Sequence, residues 1–216
     1  MRIRLEQLPV TGRRALAALG ELAGPARAAW VVGGTLREVL SGGAAADLDL
    51  AVSGGALELG RRLADRLDAT FVVLDEDRGA GRIVPRSGGG EVDVVDLRAA
   101  TLEADLRARD FTVNALAVPV AALLRDGVAT IVDATGGLDD LRGRVVRPCG
   151  PAAIDDDPVR ALRAVRLAMR PGWRLHPDAE TAIEAAAHLI ARVAAERIRD
   201  ELIGILAESA AAAGLR

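Results

Sequence analysis

Residues 31–52 read VVGGTLREVLSGGAAADLDLAV, and both fold class and chemistry follow from how this stretch is parsed. Val31-Val32 reads as the end of a β-strand, Gly33-Gly34 as a turn, and the segment carrying Arg37 as an amphipathic helix. A second β-like run then holds Asp47 and Asp49. Side chains at i and i+2 of a strand share a face, so these carboxylates can converge on one spot. Two hard carboxylates suit Mg²⁺ bound together with a nucleotide's phosphates. Backbone N–H groups where a glycine turn opens a helix suit the phosphates themselves. The combination predicts metal-dependent nucleotidyl transfer; the alternative is a solvated Asp-x-Asp turn.

Outward from this stretch, strand patterns fall at 28–32, 47–53, 70–74, 81–85, 91–97, 113–118 and 128–132. Helical patterns fall at 13–23, 34–41, 55–68 and 101–108. Strands interleaved with helices predict an α/β (or α+β) domain built on a mixed sheet. After Pro148 the texture changes: helical patterns fill 156–170, 177–188 and 195–210, and strand signals vanish. Pro148, Gly150 and Pro151 mark the break, giving domains at 1–148 and 149–216, the second small and all-helical. The tail AESAAAAGLR is expected to fray.

Composition narrows the class. With 216 residues, half of them hydrophobic and 27% charged, the chain can bury a sizeable core. No run approaches the roughly 18 apolar residues of a membrane span, so no membrane partner is expected. The N-terminus breaks its apolar residues with charge, unlike a secretory signal, and a cytoplasmic location is expected. Cys149 is the single cysteine, which excludes an internal disulfide framework or a cysteine-zinc cluster. His176, His188 and Cys149 read as structural, and a histidine-rich metal centre is not expected. The net charge of −3 argues against strong non-specific nucleic-acid binding, though not against a local basic patch. Every basic side chain is Arg, which fits a GC-rich coding bias rather than a nucleic-acid signature.

Three further stretches carry candidate chemistry. In EVDVVDLR (91–98) Asp93 lies on the opposite face from Asp96; an acid on an inner strand face is costly unless paired or metal-bound. Asp93 is therefore the candidate third acid, with an exposed edge strand as the alternative. In DLRARDFTVNA (105–115) Arg109 is placed to clamp phosphate, with Asp110 and Asn114 near a ribose; helix capping by Asp110 is the alternative. In DDDPVRALRAVRLAMR (155–170) Asp155 or Asp156 can cap a helix with Pro158 in its first turn. Arg160, Arg163, Arg166 and Arg170 then share a face, either solvated or lining a cleft, and Arg160, Arg163 and Arg166 are candidate nucleotide-binding residues.

These motifs occur in order: GG-x-x-R at 33–37, D-x-D at 47–49, an acid four residues before Leu97-Arg98, DL-x-x-RD-x-T-x-NA at 105–115, DDP-x-R-x-LR-x-x-R at 156–166 and ER-x-x-x-E at 196–201. The series resembles the class II tRNA nucleotidyltransferase and bacterial poly(A) polymerase family, the CCA-adding enzymes, over its head and neck portion. The resemblance implies a nucleotidyltransferase head followed by a helical neck. It implies Asp47 and Asp49 as Mg²⁺ ligands, Asp93 as third acid, and Gly33, Gly34 and Arg37 as triphosphate contacts. It implies Arg109, Asp110 and Asn114 at ribose and phosphate, Asp157 and Arg160 as readers of the incoming base, and Glu196 and Arg197 as a brace of the neck helices. The base-reading pair also makes physical sense on its own. Asp offers only acceptors and Arg only donors, and three apart on a helix they are neighbours. Cytosine and adenine both present an exocyclic NH₂ beside a ring-nitrogen acceptor. Uracil and guanine put a carbonyl where Asp needs a donor, and such mismatches are strongly rejected.

Three departures from the family pattern matter. Position 38 is Glu where Asp is usual. Only LRAATLEA separates Asp96 from Asp105, and within the family a shortened segment there goes with enzymes that add CC without the final A. Full-length relatives also continue into helices that grip tRNA, so a homo-oligomer or partner chain is expected to supply that grip. The expected function is transfer of CMP and/or AMP from CTP or ATP to an RNA 3′ end, with tRNA first among acceptors. The alternatives are poly(A) synthesis, transfer to a small molecule or protein, a non-catalytic nucleotide- or RNA-binding remnant, or half of a split enzyme.

Overall fold

The computed structural model describes residues 1–22 and 28–208. In chain order the elements are β1 (Arg2–Arg4), α1 (Val10–Leu22), β2 (Ala29–Val32), α2 (Gly33–Leu40), β3 (Leu48–Val52), α3 (Ala56–Leu67), β4 (Ala69–Asp75), β5 (Ala80–Pro85) and β6 (Val92–Asp96). There follow α4 (Leu102–Arg107), β7 (Leu116–Pro119), α5 (Val120–Asp126), β8 (Val128–Thr130), β9 (Val132–Asp133), α6 (Gly137–Gly143) and β10 (Val145–Val146). The chain ends through α7 (Val159–Ala168), β11 (Arg174–Leu175), α8 (Pro177–Ala186) and α9 (Ala195–Ala207). Residue 23 of the first expected helix, residues 209 and 210 of the last, and most of the tail expected to fray lie outside the described residues.

The chain divides into two compact units. Met1–Asp105 with Leu116–Asp133 forms the first, and Leu106–Ala115 with Ala134–Arg216 the second. This grouping differs from a single break at residue 148. Segment 106–115 leaves the sheet unit to join the helical one, and 134–148 goes with it. The cause lies in hydrogen bonding: Thr112 N–H donates to the Arg147 carbonyl at 2.9 Å and Cys149 N–H to that of Asp110 at 3.0 Å.

The first unit is built on a seven-stranded mixed sheet in the order β4-β5-β6-β3-β2-β7-β9, with β3 and β6 parallel and the other pairs antiparallel. Alternation in β3 and β6 buries Leu48, Leu50, Val92 and Val94 on one face. Burying each such side chain contributes about 1.5–3 kcal/mol. Helix α3 covers that face through Ala56, Leu59, Gly60, Leu63 and Ala64, spaced as one helical stripe. Gly60 is required there: a Cβ would overlap the Phe71 ring. Asp96 accepts from Ala56 N–H at 2.8 Å and so caps α3, which accounts for its lying opposite Asp93.

In the second unit α7, α8 and α9 pack together, and Ile154, Ala161 and Ala186 form a small buried cluster. Three local expectations are corrected. Residues 113–114, expected as strand, lie in a 3-10 turn closed by Asn114 N–H to the Phe111 carbonyl at 2.9 Å and Ala115 N–H to that of Thr112 at 3.0 Å; strand begins at Leu116. Helix α7 starts at Val159 with Pro158 at its N-cap and no side-chain cap, so neither Asp155 nor Asp156 serves there. Strand pairing also persists past Pro148, where β11 pairs in parallel with β10.

Candidate active site

In the first unit, Asp49, Asp93 and Arg82 form one row across β3, β6 and β5: Asp49 is the register partner of Asp93, and Asp93 of Arg82. Because their neighbours along each strand are buried in the core, these charged side chains share the other face of the sheet. Asp47 lies just before β3, and its Oδ1 accepts from Glu91 N–H at 2.8 Å.

Thr35 ties the acid strand to α2. Its buried hydroxyl accepts from Asp49 N–H at 2.8 Å and donates to the Asp47 carbonyl at 3.0 Å, while its own N–H donates to Asp49 Oδ2 at 3.1 Å. Gly33 has φ +68°, and a Cβ there would stand 2.7 Å from Asp49 Oδ2. Only glycine accepts this backbone with a carboxylate so close. A Cβ on Gly34 would lie 3.3 Å from the same oxygen and 3.5 Å from Arg37 Nη2. Arg37 is buried, and its Nη2 donates to Glu38 Oε1 at 2.7 Å, so the Glu at position 38 keeps a grip on this arginine. The predicted glycines, Arg37, Asp47 and Asp49 are therefore brought together at the start of α2.

The donor types suit a divalent ion at Asp47 and Asp49: hard oxygens just before and within β3, beside a glycine cradle and first-turn backbone N–H groups. Asp93 is differently placed. Arg82 Nε and Nη2 donate to its Oδ1 and Oδ2 at 2.7 and 2.9 Å. Among the described residues, no three His, Cys, Asp or Glu side chains are grouped to hold a metal ion. The hydrogen bond to Asp93 raises the Arg82 pKa, against its partial burial.

The second unit carries the remaining predicted residues. Asp110 is buried, and its Oδ1 accepts from Phe111 N–H at 2.7 Å and Asn114 Nδ2 at 3.1 Å. Its Oδ2 accepts from Arg163 Nη1 at 3.1 Å. Burial opposes the charge, but the Arg163 guanidinium and these hydrogen bonds outweigh it and hold the carboxyl below the usual aspartate range. Asp110 and Asn114 thus form one hydrogen-bonded turn, with Arg109 half-buried beside it.

Asp157 precedes α7 rather than standing on it, yet it still neighbours Arg160, 3.9 Å apart at Oδ2 and Nε. Asp157 Oδ2 also accepts from Arg197 Nη2 at 2.7 Å. Burial works against the Asp157 charge, yet Arg197, Arg160 and Arg163 keep its carboxyl low. Arg160 is buried and donates to the Ala153 carbonyl at 2.9 Å. Arg163 and Arg166 meet on buried Glu201, each Nε 2.8 Å from a different carboxylate oxygen. Arg170 lies past the end of α7, so the expected row of arginines on one helix face stops at Arg166. Of the predicted brace, Arg197 grips Asp157, whereas Glu196 is exposed.

Sequence reasoning missed Thr35, Arg82, Glu201 and Asp140. Asp140 Oδ2 accepts from Thr112 Oγ1 at 2.7 Å and from Arg147 Nε at 2.9 Å, which fixes the turn holding Asp110 and Asn114. Thr35 stood inside GG-x-x-R and Glu201 inside ER-x-x-x-E, so position was the available signal for both. Arg82 and Asp140 had none, since their partners come from register and from contacts distant in sequence. His176, read as structural, accepts from Asp178 N–H at 3.2 Å and caps α8.

Residues 29–147 match the family model described as the poly(A) polymerase head domain. Residues 172–216 match one described as "Probable RNA and SrmB-binding site of polymerase A". The chain is 40% identical over 178 residues to a CC-adding tRNA nucleotidyltransferase of Geobacter sulfurreducens, covering 82% of this chain and 40% of that protein. It is also 40% identical over 190 residues to an A-adding tRNA nucleotidyltransferase of Deinococcus radiodurans, covering 86% of this chain and 41% of that protein. Among solved structures it resembles the Thermotoga maritima CCA-adding enzyme complexed with tRNA, with a TM-score of 0.81 and 28% identity over 100% of this chain and 53% of that one. The chain spans about 40% of the length of these curated relatives.

Proposed function

This chain belongs to the poly(A) polymerase head-domain family of nucleotidyltransferases, and from that premise we propose that it adds CMP and/or AMP from CTP or ATP to an RNA 3′ end without a template, with tRNA as acceptor. The observation that carries the reading is the junction of β2, α2 and β3. There Thr35 fixes the backbone of Asp47 and Asp49 beside the glycine pair and Arg37. Asp47 and Asp49 would hold Mg²⁺, which when bound activates the attacking hydroxyl and neutralises the leaving pyrophosphate. The first-turn N–H groups of α2 and the Arg37 guanidinium would bind and orient the triphosphate. The RNA 3′ hydroxyl then attacks the α-phosphate in line, the bond to the bridging oxygen breaks, and pyrophosphate leaves. Positioning contributes much of the rate, as expected when two reactants are held in register.

For the second unit, the reading assigns the incoming base to Asp157 and Arg160 and the ribose and phosphate to Arg109, Asp110 and Asn114. Arg163 and Arg166 back this surface by fixing Asp110 and Glu201. The assignment keeps a functional division into a head at 1–148 and a neck at 149–216, whatever the packing of 106–115. Asp93 serves as third acid, and a cytoplasmic location belongs to the same reading. Addition restricted to CC is favoured by one observation: after β6 the chain makes a short bend, with Arg98 N–H donating to Asp105 Oδ1 at 2.9 Å, and enters α4 directly.

The test is incorporation on matched tRNA transcripts ending before CCA, after C and after CC, with Mg²⁺ and one labelled nucleotide at a time. Asp47→Ala/Asp49→Ala serves as control and should lose at least about 10³-fold, the several kcal/mol expected of metal chemistry. Addition that stops at CC supports the restricted reading, and addition of A extends it. CTP binding without product on any transcript refutes catalysis by this chain alone and favours a split enzyme or a binding module.

A further inference from the structure

Asp93 does not stand alone among the acids. The two bonds from Arg82 form a fork on both of its oxygens, and Arg82 Nη1 lies 2.7 Å from Glu91 Oε2. Asp93 is level with Asp49 across the parallel pair, and the backbone of Glu91 is bonded to the Asp47 carboxylate. A permanently charged guanidinium therefore pairs with two carboxylates, those of Asp93 and Glu91, at the end of the row that begins with Asp49. Guanidinium and divalent ion need the same oxygens, since fork geometry occupies both atoms of Asp93.

We propose that Arg82 is the internal counter-cation of this acid cluster, a positioning residue that pairs Asp93 and Glu91 and competes with a divalent ion for Asp93. The inference rests on the metal reading of Asp47 and Asp49 given above. It makes the row self-neutralising: Arg82 offsets repulsion between the carboxylates when no metal is held, and weakens metal binding by its charge. As a general scale, a unit charge and a divalent charge about 6 Å apart repel strongly enough to change affinity about tenfold even at the dielectric of water.

The experiment is Mn²⁺ titration of the full chain, followed by electron paramagnetic resonance with and without CTP. It compares wild type, Arg82→Gln, Arg82→Lys and Asp47→Ala/Asp49→Ala. The Gln variant should bind Mn²⁺ about tenfold tighter than wild type, and its Tm should rise more on metal addition. The Lys variant, which keeps the charge without the fork, should bind about threefold tighter and remains informative if the Gln variant does not fold. Unchanged or weaker Mn²⁺ binding in a folded variant overturns the role of Arg82, while loss of binding in the double aspartate variant still upholds the metal reading. No Mn²⁺ binding by wild type, with or without CTP, overturns both.

Discussion

Glu201→Gln is the sharpest test of how the second unit holds its arginines. Glu201 is buried, and each of its oxygens accepts one guanidinium Nε at 2.8 Å, from Arg163 and from Arg166. Gln keeps the volume but offers one acceptor, so its NH₂ must face one arginine, donor to donor. Breaking a fully buried ion pair costs about 3–5 kcal/mol. Here the Arg163 and Arg166 side chains are 36% and 28% exposed, so water recovers part of the loss and Arg163 keeps Asp110. The expected loss is about 2–3 kcal/mol after that discount. A Trp30→Phe background leaves Trp173 as the only tryptophan, within the second unit, so its fluorescence in urea reports that unit. With a slope of about 2 kcal/mol/M, the midpoint should fall by about 1–1.5 M. Gly204→Ala strikes the same network, because a Cβ there would stand 2.5 Å from Arg166 Cδ, and the double variant should lose less than the sum. A loss below about 0.5 kcal/mol for Glu201→Gln, the range of ordinary surface changes, would refute the argument that Glu201 joins these two arginines.

Other expectations are as direct. Thr35→Val leaves Asp49 N–H unpaired and should cost about 2–3 kcal/mol by urea unfolding, with weaker Mn²⁺ binding; unchanged binding would mean that Thr35 does not set the acid strand. Gly33→Ala forces a side chain to φ +68° against Asp49 Oδ2 and should cost about 1–3 kcal/mol, more than Gly42→Ala, where open space surrounds a similar φ of +81°. Asp110 and Asp157 have carboxyls held low in the folded chain, so the stability they contribute is fully present above the unfolded value of about 3.9 and is lost as pH falls through the folded value. Asp110→Asn should therefore lower stability at pH 7, with a difference from wild type that shrinks below about pH 4; a gap constant down to pH 2 would contradict the linkage.

The strand pattern was legible where burial alternates. Leu48 and Leu50 flank Asp49 as Val92 and Val94 flank Asp93, so period-two spacing alone put the acids on one face. The glycine pair was legible because few residues tolerate φ near +68° against a carboxylate. Register was not legible: that Arg82 stands opposite Asp93 depends on the bend between β5 and β6, and no local propensity reports it. The excursion of 106–115 was invisible for a related reason. Residues from 113 onward read as strand, but the backbone just before them bonds elsewhere, Thr112 to Arg147 and Asp110 to Cys149. Helix α6 escaped notice because seven residues between glycines carry too little periodicity. Buried charge was the hardest to foresee, since a glutamate such as Glu201 is marked as interior only by the two arginines that reach it.

The interleaved order of the two units has a consequence for the chain during its synthesis. Asp110 is made 53 residues before Arg163, and Arg163 another 38 before Glu201. At about 5–20 residues per second on the ribosome, Asp110 waits roughly 3–10 s for its first cation, and that cation waits several seconds more for its second anion. Through that interval the sheet can close without segment 106–115, while Phe111 and its neighbours have no interior to enter. A pause or a chaperone encounter between residues 133 and 201 would therefore act on the helical unit and spare the sheet, and slow codons in that stretch would alter yield without altering the product.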